Sequence, residues 1–185
     1  MTSINLWSRL CVAPLLLGGC SYSLGGSSSY LAPSKVASVG PSSRVMVDVS
    51  LLDIDANVAA GIETQQLTRI GDGGDSFGQW RTNLLLGLSH MPRPHEFMLG
   101  YEAFLSPGLS RYYTTSGIEL SPSFGGMIGM PIRLGKGERT WRSDDLIAID
   151  AYLVPSFGAA WVGFDSLDAS AGLALRFHLW SAMTP

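Results

Sequence analysis

The stretch Ile147–Val162, IAIDAYLVPSFGAAWV, decides the fold. Ile147, Ile149, Ala151, Leu153, Phe157, Ala159 and Trp161 fall on one face of an extended chain. Ala148, Asp150, Tyr152, Val154, Ser156, Gly158 and Ala160 fall on the other. A period of two over this length reads as a β-strand. Gly117–Leu134 repeats the pattern: Ile118, Leu120, Phe124, Ile128, Met130, Ile132 and Leu134 oppose Glu119, Ser121, Ser123, Gly125, Met127, Gly129 and Arg133. One face is large and apolar; the other is rich in Gly, Ala and Ser. Strands of soluble sandwiches average about 5–6 residues, whereas a tilted membrane-spanning strand needs about 9–11. Large residues facing lipid and small or polar ones facing a narrow lumen fit a membrane barrel; a soluble barrel reverses the two faces.

Shorter runs agree. Val45, Val47, Val49 and Leu51 alternate with Met46, Asp48 and Ser50, and Leu84, Leu86 and Leu88 alternate with Asn83, Leu85, Gly87 and Ser89. In 97–105, Phe97, Leu99, Tyr101, Ala103 and Leu105 oppose Met98, Gly100, Glu102 and Phe104. Pro92, Pro94, Pro107 and Gly108 punctuate these runs where turns are expected. Pro-Ser-Phe-Gly occurs at 122–125 and again at 155–158, which predicts equivalent positions on neighbouring strands, with a bend or bulge at each proline. Nothing after the first twenty residues carries a capped apolar stripe of helical period. The expected fold is all-β: an antiparallel up-and-down transmembrane barrel of eight strands. Seven can be placed, at 44–54, 57–70, 79–90, 96–105, 115–134, 145–163 and 168–180. Bacterial single-chain barrels have even numbers. Either 111–134 supplies two strands, or the barrel is incomplete, or the count is wrong. Trp80, Tyr112, Tyr113, Trp141 and Trp180 fall near strand ends, as interfacial aromatic girdles do.

In the last strand, Ser170-x-Gly172-x-x-Leu175-x-Phe177 resembles the polar-x-Gly-x-x-apolar-x-aromatic signal of outer-membrane barrel proteins. The resemblance implies recognition by the outer-membrane assembly machinery. The chain departs from that family by continuing eight residues past Phe177.

At the other end, Arg9 precedes a short apolar segment, and Leu17-Gly18-Gly19-Cys20 follows. The order of charge, apolar core and small residues is that of a secretory signal. Leu-Gly-Gly-Cys resembles the lipobox of bacterial lipoproteins. This implies a signal peptide over 1–19, cleavage before Cys20, and acylation of Cys20 by palmitate-type chains. Ser21 in place of Asp after the cysteine implies, by the same resemblance, a lipid-anchored protein of the Gram-negative outer membrane. Residues 20–43, rich in Ser and Gly, read as a lipidated flexible tether, and 44–185 as the barrel domain.

Removing 1–19 takes Arg9 alone among the charged residues, leaving 11 basic against 15 acidic, net −4. No basic stripe of the kind nucleic acid requires is present. Cys11 leaves with the signal and Cys20 is capped by lipid, so no thiol pair remains for a disulfide or a Cys-ligated metal.

Candidate chemistry is sparse. Gly74-Asp75-Ser76-Phe77-Gly78 fits the serine-hydrolase G-x-S-x-G pattern, but a turn leading into a strand replaces the strand-to-helix elbow that exposes such a serine. Asp72 and Asp75 are too few for a calcium site. Ser89 and His90 are adjacent on a strand and point to opposite faces, so they cannot pair; His95 lies close in sequence. His178 points inward and reads as a satisfied polar group. The notable set is Glu102, Glu119, Arg133, Asp150 and Arg176, all inward by alternation. Buried charges must be paired or hydrated, and an eight-stranded lumen is only wide enough for side chains. These five are expected to form an ion-pair network that plugs the lumen.

The sequence therefore favours a non-enzymatic, lipid-anchored outer-membrane barrel with a structural or interaction role, without cofactor or metal. Its expected partners are membrane lipid and the assembly machinery. Two alternatives stay open: a tethered, soluble lipocalin-like barrel carrying a hydrophobic ligand, and an outer-membrane lipid hydrolase. The face on which Ile118, Leu120, Phe124 and Ile128 lie discriminates the first.

Overall fold

The computed structural model describes residues 18–32, 35–50, 56–70, 78–92, 98–114, 117–134, 147–163 and 165–181. Ten strand segments account for nearly all of them: β1 Gly18–Ala32, β2 Val36–Ser50, β3 Asn57–Ile70, β4 Gly78–His90, β5 Tyr101–Leu105, β6 Gly108–Thr114, β7 Gly117–Gly129, β8 Ile132–Leu134, β9 Ile147–Val162 and β10 Ser166–Ser181. No helix occurs among the described residues. Every pairing is antiparallel, and β1 pairs with β10, so the sheet closes on itself.

The ten segments are eight walls. Leu86↔Leu105 and Asn83↔Gly108 belong to one register of β4 against β5 and β6. Gly129↔Ser156 and Ile132↔Leu153 belong to one register of β9 against β7 and β8. The gaps fall at Pro107 and Pro131, where a proline has no N–H to give the ladder; nothing is inserted. Neighbouring carbonyls are still used, with Leu84 N–H donating to Pro107 O at 2.8 Å and Gly100 N–H to Pro131 O at 2.7 Å. The fold is a closed, antiparallel, up-and-down β-barrel of eight strands.

Three expectations are corrected. Residues 20–43 are no tether: they form most of β1 and the first half of β2. The chain reverses between them at Lys35, whose φ is 56°. Gly and Ser suit a linker by composition, yet here they alternate with Tyr22, Leu24 and Tyr30, which face outward, while Ser21, Ser23, Ser27 and Ser29 are buried. The strand missing from the count of seven is β1, and the long 117–134 segment is one wall interrupted by proline. Of the expected signal peptide, residues 1–17 lie outside the described residues, but Gly18 and Gly19 belong to β1. Finally, the two Pro-Ser-Phe-Gly motifs do sit on paired strands, but antiparallel ones: Phe124 faces Trp161 and Phe157 faces Ile128, so the positions are not equivalent. Neither proline makes a bulge, because the registers of β6 with β7 and of β9 with β10 run through unbroken. Pro155 instead stands where β9 loses its pairing between β7 and β8, and its carbonyl accepts from Met130 N–H at 3.0 Å.

Faces follow the alternation. Ile118, Leu120, Phe124 and Ile128 point outward, 58–64 % exposed. Val45, Ile62, Leu86, Leu105, Phe157 and Leu173 continue this apolar surface round the barrel. The lipocalin-like reading required these residues inside, and it falls. Exposed Tyr30, Trp80, Tyr113 and Trp161 ring the end away from the termini. Tyr112 departs from the expected girdle, since its side chain turns into the lumen beside Gln79. Trp141 lies outside the described residues. The end bearing the termini carries the connections 51–56, 91–100 and 135–146; the distal end carries 33–35, 71–77, 115–116 and 163–165.

Candidate functional site

Between these walls the lumen is layered. At mid-height Arg44 of β2 donates from Nε to Glu63 Oε1 of β3 at 2.6 Å, and from Nη1 to Glu102 Oε1 of β5 at 3.2 Å. Arg176 of β10 grips the same Glu102 in a fork, Nη1 to Oε2 at 2.5 Å and Nη2 to Oε1 at 3.3 Å. Further bonds tie the layer to the walls: Arg44 Nη2 donates to Ser156 Oγ at 2.9 Å, Arg176 Nε to Ser23 Oγ at 2.9 Å, and Asn83 Nδ2 to Glu63 Oε2 at 3.3 Å. Two guanidinium groups thus balance two carboxylates, and the bidentate fork is the strongest arrangement open to such a pair.

Seven of the eight walls supply a side chain to this layer, and the eighth supplies space. A Cβ on Gly129 of β7 would lie 2.3 Å from Glu102 Oε1, so the bridging carboxylate occupies the room the glycine leaves. Arg176 is 0 % and Glu102 2 % exposed. Met46, Ala59, Leu85, Phe104 and Met127 pack as an apolar cluster in the same lumen.

A second layer lies toward the distal end. Arg81 of β4 reaches across the lumen to Asp168 of β10, and its Nε donates to Ser110 Oγ of β6 at 3.1 Å. The third layer lies toward the termini. Asp48 Oδ1 accepts from Gly19 N–H at 2.9 Å, and Asp48 Oδ2 is 3.7 Å from His178 Nδ1. His178 meets Tyr152 edge-on, with ring centroids 6.4 Å apart, and Tyr152 donates its hydroxyl proton to Pro92 O at 3.0 Å. A Cβ on Gly19 would lie 2.2 Å from His178 Nε2, so the imidazole rests against this glycine.

Of the five charges expected together, Glu102 and Arg176 meet at mid-lumen. Arg133 is buried on β8 and Asp150 is half-buried on β9 in register with His178, both toward the termini. Glu119 shares the inward face but stands exposed at the distal mouth. The same alternation puts Arg44 and Asp48 on the inward face, opposite Val45 and Val47, although neither is among the five charges expected there. Glu63, Arg81 and Asp168 carry the same period-two signal. In the last strand Ser170 and Gly172 lie on the lumen side, and Leu175 and Phe177 lie outside, 39 % and 41 % exposed.

Ser89 and His90 do not come together as a nucleophile and base. Ser89 is fully buried, whereas His90 faces outward and stacks on Tyr101 at 5.5 Å. Ser76, Asp72, Asp75 and His95 lie outside the described residues, and no metal-ligating cluster occurs among the described ones.

No family model and no curated protein sequence matches this chain. Solved structures do. Ail, the attachment invasion locus protein of Yersinia pestis, superposes with a TM-score of 0.53 at 10 % identity, covering 88 % of this chain and 99 % of Ail. Neisserial surface protein A gives 0.55 at 10 % identity, covering 87 % of this chain and 97 % of that one. At such identity the likeness is one of fold: this chain has the eight-stranded barrel fold of outer-membrane proteins.

Proposed function

We propose that this chain is a non-enzymatic barrel of the Gram-negative outer membrane, lipid-anchored through Cys20, with a structural or interaction role and a lumen plugged by the Arg44–Glu63–Glu102–Arg176 network. The observation that carries this reading is the inverted distribution of side chains. The outside is a belt of Leu, Ile, Val and Phe, and the inside holds paired ions; that surface is stable in lipid and a liability in water. Strands of 13–16 residues in β4, β9 and β10 exceed the span of a hydrocarbon core. The plug reading is supported by the network's span across the lumen from β10 to β3, with its ions buried.

Anchoring rests on the lipobox resemblance, and two features bear on it. Cys20 lies on the outer face between Val47 and Leu179, where acyl chains would start beside the apolar wall with no intervening tether. Cleavage before Cys20 would also remove Gly19 and the N–H that Asp48 accepts. Phe177, outward on the closing strand, is assigned to recognition by the assembly machinery.

The test is membrane fractionation combined with heat-modified gel mobility and mass spectrometry of the mature amino terminus. An outer-membrane, heat-modifiable protein beginning at an acylated Cys20 is expected, and Cys20→Ala abolishes the acyl mass. A soluble fraction would overturn the barrel's insertion. An unmodified amino terminus upstream of Cys20 would overturn the anchor alone.

A further inference from the structure

Among the described strand residues, every Arg, Asp and Glu but one faces the lumen; the exception is Arg111 of β6. Its neighbours fix its parity. Ser110, fully buried, and Tyr112, beside Gln79, point inward, whereas Leu109 and Tyr113 are exposed on the outer face with Arg111. Arg111 stands in register with Trp80 of β4 on one side and with Leu120 of β7 on the other. Together with Thr82, Leu109 and Tyr113, these residues line a hollow of about 290 Å³ in the outer wall. The hollow lies at the distal aromatic ring, because β6 ends at Thr114 and β4 begins at Gly78. No carboxylate lines it. Glu119, in register with Tyr112, lies on the lumen side. A charge set in a lipid-facing wall is costly, less so near the interface, and it calls for a partner.

We infer that this hollow holds the phosphate of an anionic membrane lipid, with the Arg111 guanidinium as its anchor and the acyl chains laid on Leu109 and Leu120. The donor set selects the anion. A guanidinium presents a fork of N–H groups that matches phosphate oxygens, an indole only donates, and Tyr113 and Thr82 add hydroxyls. No lining side chain is an obligate acceptor, so a cation finds nothing to hold it. The position selects a lipid over free phosphate. From the middle of the wall toward the distal rim, β6 presents Leu109, Arg111 and Tyr113 in turn, so the charge stands between an apolar belt and an aromatic one. Leu109 and Leu120 are 57 % and 64 % exposed. An amphiphile with its phosphate at the interface and its tails in the belt meets both surfaces at once. Trp and Tyr at this level suit the headgroup region. The low dielectric of adjoining hydrocarbon strengthens the charge-assisted bonds relative to open water.

The inference rests on the reading of the outer face as lipid-facing, and the two are tested apart. Insertion of the full chain into dioleoyl phosphatidylcholine vesicles, read by heat-modified mobility, tests the first. The closed barrel in a neutral detergent is then titrated with dioleoyl phosphatidylglycerol, and native mass spectrometry counts the lipid retained. One saturable site is expected, with about tenfold weaker retention of dioleoylglycerol, which lacks the phosphate. Inorganic phosphate at the same concentration as the lipid is expected not to displace it. Arg111→Gln should weaken phosphatidylglycerol retention by about the same factor with heat-modified mobility unchanged, and Arg111→Lys should keep part of it. Arg69→Gln removes a charge at the same end from the lumen side, in register with buried Ser38, and should retain lipid as the parent does. Equal retention of the two lipids by the parent, displacement by inorganic phosphate, full retention by closed Arg111→Gln barrels, or an equal loss in Arg69→Gln would each overturn the proposal. The parent's choice between the two lipids does not depend on any variant closing. Failure to insert into vesicles would overturn the lipid-facing reading and the site with it, whereas insertion without lipid preference overturns the site alone.

Discussion

Glu102 and Glu119 face the same lumen from adjacent walls, and depth alone separates them. Glu102 sits at mid-height, 2 % exposed, between two arginines that donate to both of its oxygens. Glu119 sits at the distal mouth, exposed, where water solvates it. A carboxylate taken out of water costs several kcal/mol unless it is paired and hydrogen-bonded, so the first must be partnered to exist and the second need not be. The middle of the lumen holds the walls in register. The mouth is free to vary without endangering them.

That difference also marks what the sequence could tell. The face of a residue follows from its parity along a strand, and parity was legible for Glu102, Glu119, Arg133, Asp150 and Arg176 alike. Depth follows from register between strands, which a single sequence does not carry, so five inward charges looked like one network and are in fact spread over several layers. The fold class was legible because apolar periodicity over 13–16 residues has few other solutions. β1 was not, because its outward residues are widely spaced among Ser and Gly, and that composition also suits a linker. The small residues that a narrow lumen demands are the ones a flexible tether uses.

The largest effect is expected where the pairing is tightest. Arg176→Met removes the fork on Glu102 and leaves that carboxylate with Arg44 alone, which is also shared with Glu63. Breaking a buried pair by removing one partner costs about 3–5 kcal/mol. The urea midpoint for loss of heat-modified mobility should fall accordingly, and adding Glu102→Gln should restore part of it. An unchanged midpoint in Arg176→Met would mean that water reaches mid-lumen and that the contrast with the mouth is false.

A second comparison sets the outer face against the inner. Ile128 is 62 % exposed on β7, with Met127 buried beside it. In a lipid-facing belt Ile128→Arg is expected to cost about 2–4 kcal/mol near the midplane. At an exposed site of a soluble protein the same change would lie within about 0.5 kcal/mol. Unfolding of the barrel in bilayers, measured against its unfolding in detergent, reads the difference directly.

Gly129 probes the same network through space instead of charge. Its missing side chain is where the Glu102 carboxylate lies, at 2.3 Å from the position of a Cβ. Gly129→Ala should therefore push the carboxylate off its arginines and destabilise by about 1–3 kcal/mol, the usual range for overpacking. Glu102→Asp, shorter by one methylene, should recover part of that loss when combined with it. If Gly129→Ala alone is neutral, the carboxylate has room elsewhere and the layer is looser than its distances imply.

Glu119→Gln is expected to do least to stability, and the argument for this is the one that separates the two glutamates. The side chain is exposed in the folded barrel and exposed when unfolded, so its charge changes little in solvation on folding. No buried partner is abandoned when the charge goes, unlike Glu102→Gln, which takes the carboxylate from Arg176 and leaves Arg44 with Glu63 alone. Exposed substitutions of this kind fall within about 0.5 kcal/mol. The unfolding midpoint of Glu119→Gln should match that of the parent chain. A midpoint lowered as far as that of Arg176→Met would show that Glu119 is held inside the network after all.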